Sequence, residues 1–469
     1  MGKLLSIVLM ALSINALGVI HQVGSTKNYV SPNALYLANV IQDGDTIEVD
    51  AETYIGSAAL AVWQNNELLI KGVGGMPHLI SNGSYIWGKG IWVLVGNDIT
   101  VEHIEFSEAA VPDQNGAGIR LDGIGLTVRH CYFHDNENGI LTSNPYDGDI
   151  LIEFSEFSNN GYGDGFSHNL YIGHVNKLTF RFNYSHHAKI GHNLKSRANE
   201  NYILYNRIMD EETGNSSRLI DLPNGGFAIL LGNLLMQGQN AENNNLVGYG
   251  KEGLSNTAPH ELYMANNTLL NKRTTSCIFL DINNETSNME IFNNIFAGTG
   301  TTINGVSANL MNGNVIEANV SMLEFVDEPN FDYRLRTNSP AIDYGVMTNP
   351  VNGLSLIPDL IYEHPTNFMH RNTVNNIDAG AYEFNGVVSI EDTTPNIFAI
   401  YPNPTKGILK FNMERNFIKQ IVVYNILGEM MTSTFYSNEL DISFFAKGVY
   451  FVVIEGRQGE NYHWQLVKE

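Results

Sequence analysis

Basic residues are scarce in this chain of 469 residues: 26 Lys and Arg stand against 49 Asp and Glu, a net charge of −23. Phosphate neutralisation needs a basic surface, so nucleic acid is excluded as a partner, and an anionic ligand must find a local positive patch. Charged residues of both signs make up only 16% of the chain, which disfavours long charged helices. Two cysteines are too few for a disulfide scaffold. Beyond the first twenty residues no apolar run is long enough to span a bilayer. What the chain does hold is 43% hydrophobic residues and 44 Gly. That is enough apolar surface for a real core, which excludes disorder, and it suits many short strands joined by turns.

The N-terminus gives a destination. Lys3 precedes an apolar run from Leu4 to Ile20, broken by Ser6, Ser13 and Asn15, and small residues then lead into polar sequence. This is the pattern of a Sec signal peptide over residues 1–20 rather than a membrane anchor.

A repeat fills the middle of the chain. ITVEHIEF, LTVRHCYF, ILIEFSEF, LTFRFNYS, YILYNRI, AILLGNLL, ELYMANNTL and MEIFNNIF share one pattern: alternating apolar residues, one small or amide residue, then another apolar pair. They align Ile104, Cys131, Ser155, Asn183, Asn206, Asn233, Asn267 and Asn294 at intervals of 23 to 34 residues. A unit this short cannot bury its own apolar face, so the units must stack, and such coils with several short strands predict an all-β fold, a right-handed parallel β-helix. Stacked Asn at a bend is favourable because Asn tolerates left-handed backbone and its amide can pair with the coils above and below. In this scheme Cys131 and Cys277 lie some five coils apart, too far to bridge, and both are expected to be small core residues.

GDTIEVDAETYIG, from Gly44 to Gly56, and FDYRLRTNSPAIDYG, from Phe331 to Gly345, resemble the first and last coils of the pectate-lyase-like β-helix superfamily, and DAGAYEF, ending at Phe384, resembles its closing signature. The resemblance covers residues 24–384. It implies a polysaccharide-active protein, since the superfamily holds lyases, hydrolases, epimerases, esterases and adhesins. After a linker at 385–396, YPNP with its following Gly, VYNILGE and LDIS…KGVYFV make residues 397–469 resemble the C-terminal sorting domain of type IX secretion, a small β-sandwich. That resemblance implies export across the outer membrane to the medium or the cell surface, with the type IX machinery as a partner.

Between His174 and Met209 stand Lys177, Arg181, Lys189, Lys195, Arg197 and Arg207 against Glu200 alone, a positive stretch in an acidic protein. Aligning SHNLYIG, GHNLKSR and SSRLIDLPNGG stacks Leu170, Leu194 and Ile220 inward, and strand alternation then turns Tyr171, Lys195 and Asp221 outward, with Tyr249 and Lys251 continuing the row. Counting from the Asn positions instead stacks Lys195 on Arg218. Either register sets a Lys beside an Arg.

A uronic-acid polymer can be cut by removing the proton beside its carboxyl group and expelling the glycosidic oxygen, which needs a cation on the carboxylate, a base and an acid. Lys195, with its basicity lowered by neighbouring positive charge, is the expected base; Arg197 and Arg218 are expected on the carboxylate, and Tyr171 or His192 at the leaving oxygen. His168, Asn169, Asn193, Lys189, Asp221, Tyr249 and Lys251 are the expected substrate contacts. Lyases of the resembled superfamily pair Lys with Arg on adjacent coils, some with calcium, which makes Ca2+ a candidate cofactor. The expected function is a secreted, monomeric polysaccharide lyase acting on an acidic glycan by β-elimination. A glycoside hydrolase would need two carboxylates, from Asp164 with Asp221 or from the Asp210, Glu211, Glu212 cluster. A uronan epimerase would share the proton abstraction, and a non-catalytic adhesin would bind glycan without turnover.

Overall fold

The computed structural model describes residues 18–275, 277–384, 399–412, 418–425, 430–435, 439–456 and 461–468. The expected signal peptide and linker fall on residues that lie, but for 18–20, outside the described ones. The described residues form two compact units, one up to Gly386 and one from Val387.

The first unit is a parallel β-solenoid of about eleven turns. Each turn sends one strand to each of three sheets, which hold 12, 11 and 10 strands and are named first, second and third in the order the chain visits them. One coil runs through Lys177–Arg181, Tyr184–His186 and Leu194–Ser196 before the next begins at Glu200–Leu204. The alternation seen in sequence is the cause: in LTFRF, Leu178 and Phe180 are buried while Thr179 and Arg181 are only partly so. The apolar residues of one coil lie on those of the next. Phe106, Phe133 and Phe157 stack with centroids 5.0 Å apart at each step, and a fully buried ring contributes about 2–3 kcal/mol. Cys131 and Cys277 are both buried thiols.

The Asn ladder is present at the bend between the first and second sheets. The Oδ1 atoms of Asn183, Asn206, Asn233, Asn267 and Asn294 each accept from the backbone N–H one coil earlier, at 2.9–3.0 Å. Their Nδ2 groups donate along the stack and to carbonyls such as Ile152 O and Phe180 O. One detail differs from expectation: the left-handed residue is the one before each ladder position, His130 before Cys131, Phe154 before Ser155, and Phe182, Tyr205, Asn266 and Asn293 before an Asn. The aromatic residues there stack outward, with centroids 5.1 Å apart from His130 to Phe154 and from Phe154 to Phe182.

Both proposed end coils shift. The solenoid begins before Gly44, because Ile20–Val23 pairs in parallel with Thr46–Asp50. At the far end Leu310–Asn312 and Val315–Glu317 are the last solenoid strands, and Asp332–Leu335 is not a coil; it forms an antiparallel pair with Phe325–Asp327. The chain then returns along the solenoid. Phe368 packs on Phe182 at 4.8 Å, and the Arg371–Glu383 ion pair, 2.7 Å long, is fully buried.

The second unit has antiparallel sheets of three and four strands among the described residues. Leu409, Phe411, Ile421, Val423, Val452 and Ile454 contribute to its core.

Candidate active site on the third sheet

The third sheet sets the register that the sequence left open. Tyr171 pairs with Lys195, Lys195 with Asp221, Asp221 with Gly248 and Gly248 with Asp281. Lys195 therefore stacks between Tyr171 and Asp221. Arg218 lies against His192 instead, its backbone N–H donating to His192 Nδ1 at 3.0 Å.

Around this column the side chains close into one network. Lys195 Nζ is 2.8 Å from Glu252 Oε1 and 3.5 Å from Asp221 Oδ2. Arg197 reaches the other Glu252 oxygen with NH2 at 2.5 Å, donates through Nε to the Tyr171 hydroxyl at 2.8 Å, and donates through NH1 to Asn224 Oδ1. Arg218 NH1 is 3.1 Å from Asp221 Oδ1, and His192 Nε2 is 3.5 Å from Asp221 Oδ2. Both cations lie about equally near the Tyr171 ring, Lys195 Nζ at 5.6 Å and the Arg197 guanidinium at 5.7 Å from its centroid. Arg218 Nε and Asp221 Oδ2 are buried with no hydrogen-bond partner, an unusual state for polar atoms.

Burial and charge shift the two carboxyl groups in opposite directions. Burial raises Asp221 above the ordinary carboxylate range against the pull of Arg218 and Lys195. Glu252 has a side chain 44% exposed; partial burial works to raise it, but hydrogen bonds from Lys195 and Arg197 prevail and hold it at about 2. Burial, with Lys195 and Arg218 nearby, pushes His192 down to about 3, so it is neutral near pH 7. His168 is likewise driven well down by burial and by His192.

Several expectations are corrected here. The basic stretch 177–207 is no patch in space: Lys177 and Arg181 sit on the first sheet with Asp149 and Glu153, and Arg207 sits on the second. Lys189 lies in the turn between the second and third sheets, bound to Asp135 at 3.3 Å. Lys195 is not crowded by cations alone, since two carboxylates adjoin it, and it is buried beneath Glu252. Tyr249 does not continue the outward row: it pairs with Leu222, points into the core and donates to Gly226 O, so Gly248 takes the outward place. Lys251 pairs with Asp281 at 2.9 Å, one coil further on. Asn169 and Asn193 are wholly buried in a second amide stack, Asn169 Nδ2 to Asn193 Oδ1 at 2.9 Å. His168 and His192 stack at 4.8 Å below the surface, each accepting a backbone N–H on Nδ1. A buried neutral imidazole is a weak proton donor. Asp164 stands in an exposed turn, while Asp210 is buried, accepting the backbone N–H of Ser216 and of Gly238, and Glu211 accepts from Tyr184; none flanks the column.

Glu252, Asn224 and Asp281 were not anticipated. The outward position of Asp281 is readable from the alternation in IFLDI, but nothing local to GKEG tells where a loop carboxylate will point.

Residues 399–469 match the secretion system C-terminal sorting domain. By this sorting domain the chain is a type IX cargo, extracellular or held at the cell surface. Among solved structures, the crystal structure of pectate lyase Pel9A is similar with a TM-score of 0.46 and 14% identity, over 78% of this chain and 97% of that one. Among curated proteins no sequence matches.

Proposed function

We propose that this secreted protein is a polysaccharide lyase that cleaves a uronic-acid glycan by β-elimination on the outer face of the third sheet. One observation carries the reading: Lys195 and Arg197 converge on the two oxygens of a single carboxylate, that of Glu252. A uronate entering here displaces Glu252 and meets Arg197 in its place, beside the Lys195 nitrogen. With Glu252 withdrawn, Arg197 and Arg218 neutralise the sugar carboxylate. Lys195, as the free amine, takes the proton from the carbon beside that carboxylate. The electron pair forms the carbon–carbon double bond, and the glycosidic carbon–oxygen bond breaks. Tyr171, whose oxygen already accepts from Arg197 Nε, keeps its own O–H to protonate the departing oxygen. Asp221 and His192 hold Lys195 and Arg218 in position from below.

The test is a panel of polyuronates incubated with purified protein, with and without a calcium chelator. A lyase yields an unsaturated product absorbing in the ultraviolet, and Lys195→Ala lowers kcat by about 10³-fold or more. Reducing ends without that absorbance identify a hydrolase. Binding with no turnover identifies an adhesin. A Lys195→Ala variant that keeps near wild-type turnover removes Lys195 as the base.

A further inference from the structure

The second sheet carries, two to four coils before Lys195, a group of side chains that the elimination does not use. His78 opens the strand His78–Ile80, Glu105 opens Glu105–Ser107, and His134 closes Tyr132–His134. Parallel register sets His78 beside Glu105 and Ser107 beside His134. Glu105 Oε1 is 3.5 Å from His78 Nε2 and 3.0 Å from His134 Nε2, and all three donor atoms lie within 4.8 Å of one another. A tetrahedral ion with arms of about 2.0–2.2 Å holds its donors roughly 3.3 Å apart. The two distances from Glu105 bracket that spacing.

The far side of His134 supplies a second observation. Its Nδ1 is 3.0 Å from Asp135 Oδ2, and Asp135 is in turn 3.3 Å from Lys189 Nζ. A carboxylate at Nδ1 accepts a hydrogen bond from the Nδ1–H of a neutral imidazole, which leaves the lone pair on Nε2, the usual support for a metal-bound histidine. Here that lone pair meets a carboxylate oxygen of Glu105. A positive charge reconciles the two, either a proton on His134 or a metal ion in its place. Ser107 Oγ, 2.7 Å from His78 Nε2, adds another oxygen at the edge of the group. The side chains of His78, Glu105 and His134 keep 26%, 25% and 18% of their surface, so an ion can reach them from solvent.

We propose that His78, Glu105 and His134 bind one divalent transition-metal ion of the zinc class, with water in the fourth position and Asp135 orienting His134. Two imidazoles and one carboxylate suit zinc, whereas calcium and magnesium take mainly oxygen ligands. The ion ties three successive coils together. This does not depend on the elimination chemistry.

The experiment uses the full chain without a histidine tag, stripped of metal by chelator. Titration with ZnCl2, followed by calorimetry, is expected to give one equivalent bound and a higher thermal midpoint. CoCl2 is expected to give the visible absorption of a four-coordinate ion, and CaCl2 neither heat nor stabilisation at these residues. Glu105→Gln and His134→Asn are expected to weaken zinc at least about tenfold, and Asp135→Asn about 10–100-fold. Folding of each variant is checked by circular dichroism. Folded wild-type protein that takes up no stoichiometric zinc or cobalt overturns the proposal, whatever the variants do. So does binding that stays unchanged in folded His78→Gln and His134→Asn, which would locate the metal elsewhere.

Discussion

At the scale of single residues, the buried imidazoles tie stability to pH. His192 has its Nδ1 occupied by a backbone N–H and a folded pKa of about 3, against about 6.5 in an unfolded chain. Above pH 6.5 both states are neutral and stability is complete. As pH falls below 6.5, the unfolded chain takes up a proton that the native site refuses, so stability drops by about 1.4 kcal/mol per pH unit until the native imidazole titrates. At pH 5 His192 alone accounts for about 2 kcal/mol by that slope. His168, lowered in the same direction, adds to it. Urea unfolding at pH 7 and pH 5 is expected to show the loss, and His192→Asn, which keeps an acceptor for Arg218 N–H, is expected to flatten the dependence. An unchanged slope in that variant would falsify the assignment of a neutral buried His192. A second expectation belongs to Glu252, whose carboxylate holds the cations a substrate needs. Glu252→Ala is expected to lower KM for a polyuronate severalfold, read from initial rates. A raised KM would mean that Glu252 helps to bind the glycan instead of competing with it.

At the scale of elements, the amide ladder is the feature with the clearest energetic consequence. Asn206 Oδ1 accepts from both Asn183 N and Asn183 Nδ2, while its own Nδ2 donates to Phe180 O and Asn233 Oδ1. Asn206→Ala leaves buried groups on both neighbouring coils unpaired, at about 1–3 kcal/mol for each one that water cannot reach. A loss of about 3 kcal/mol is expected in denaturant melts, and a loss below about 0.5 kcal/mol would show that water replaces the amide. This ladder was legible in the sequence because all its parts recur in one short segment per coil: alternation fixes what points inward, and a repeated Asn marks the bend. The same alternation offered the Tyr171–Lys195–Asp221 column as one of two registers, and only the strand pairing chooses it over Lys195 on Arg218. Tyr249 was misread by one residue, because the outward place opposite Asp221 falls on Gly248, a residue with no side chain to announce it. The closure of Lys195 by Glu252 was not legible at all. Fifty-seven residues separate the two, and a loop carries no periodicity from which a direction could be read.

At the scale of the whole molecule, the return segment and the C-terminal unit raise separate questions of stability. The return segment is fastened by Arg371 and Glu383, both without exposed side-chain surface, with the guanidinium also donating to Asp378 O, Gly380 O and Ala381 O. Glu383→Ala leaves that guanidinium buried without its counter-ion, which costs about 3–5 kcal/mol. The C-terminal unit has its own apolar core, formed by residues from Leu409 to Leu466, distinct from the one that runs through the solenoid. Units with separate cores generally unfold separately. A small domain buries a smaller fraction of its surface than a long stack of coils does. Two thermal transitions are therefore expected, with the sorting domain melting first. Cutting the chain between residues 387 and 398 is expected to remove the lower transition and to leave the upper one within about 2 °C, as for two cores that contribute independently. Calorimetry of the intact and cut chains checks this, and an upper transition that falls by more than that would mean the solenoid draws stability from its secretion signal.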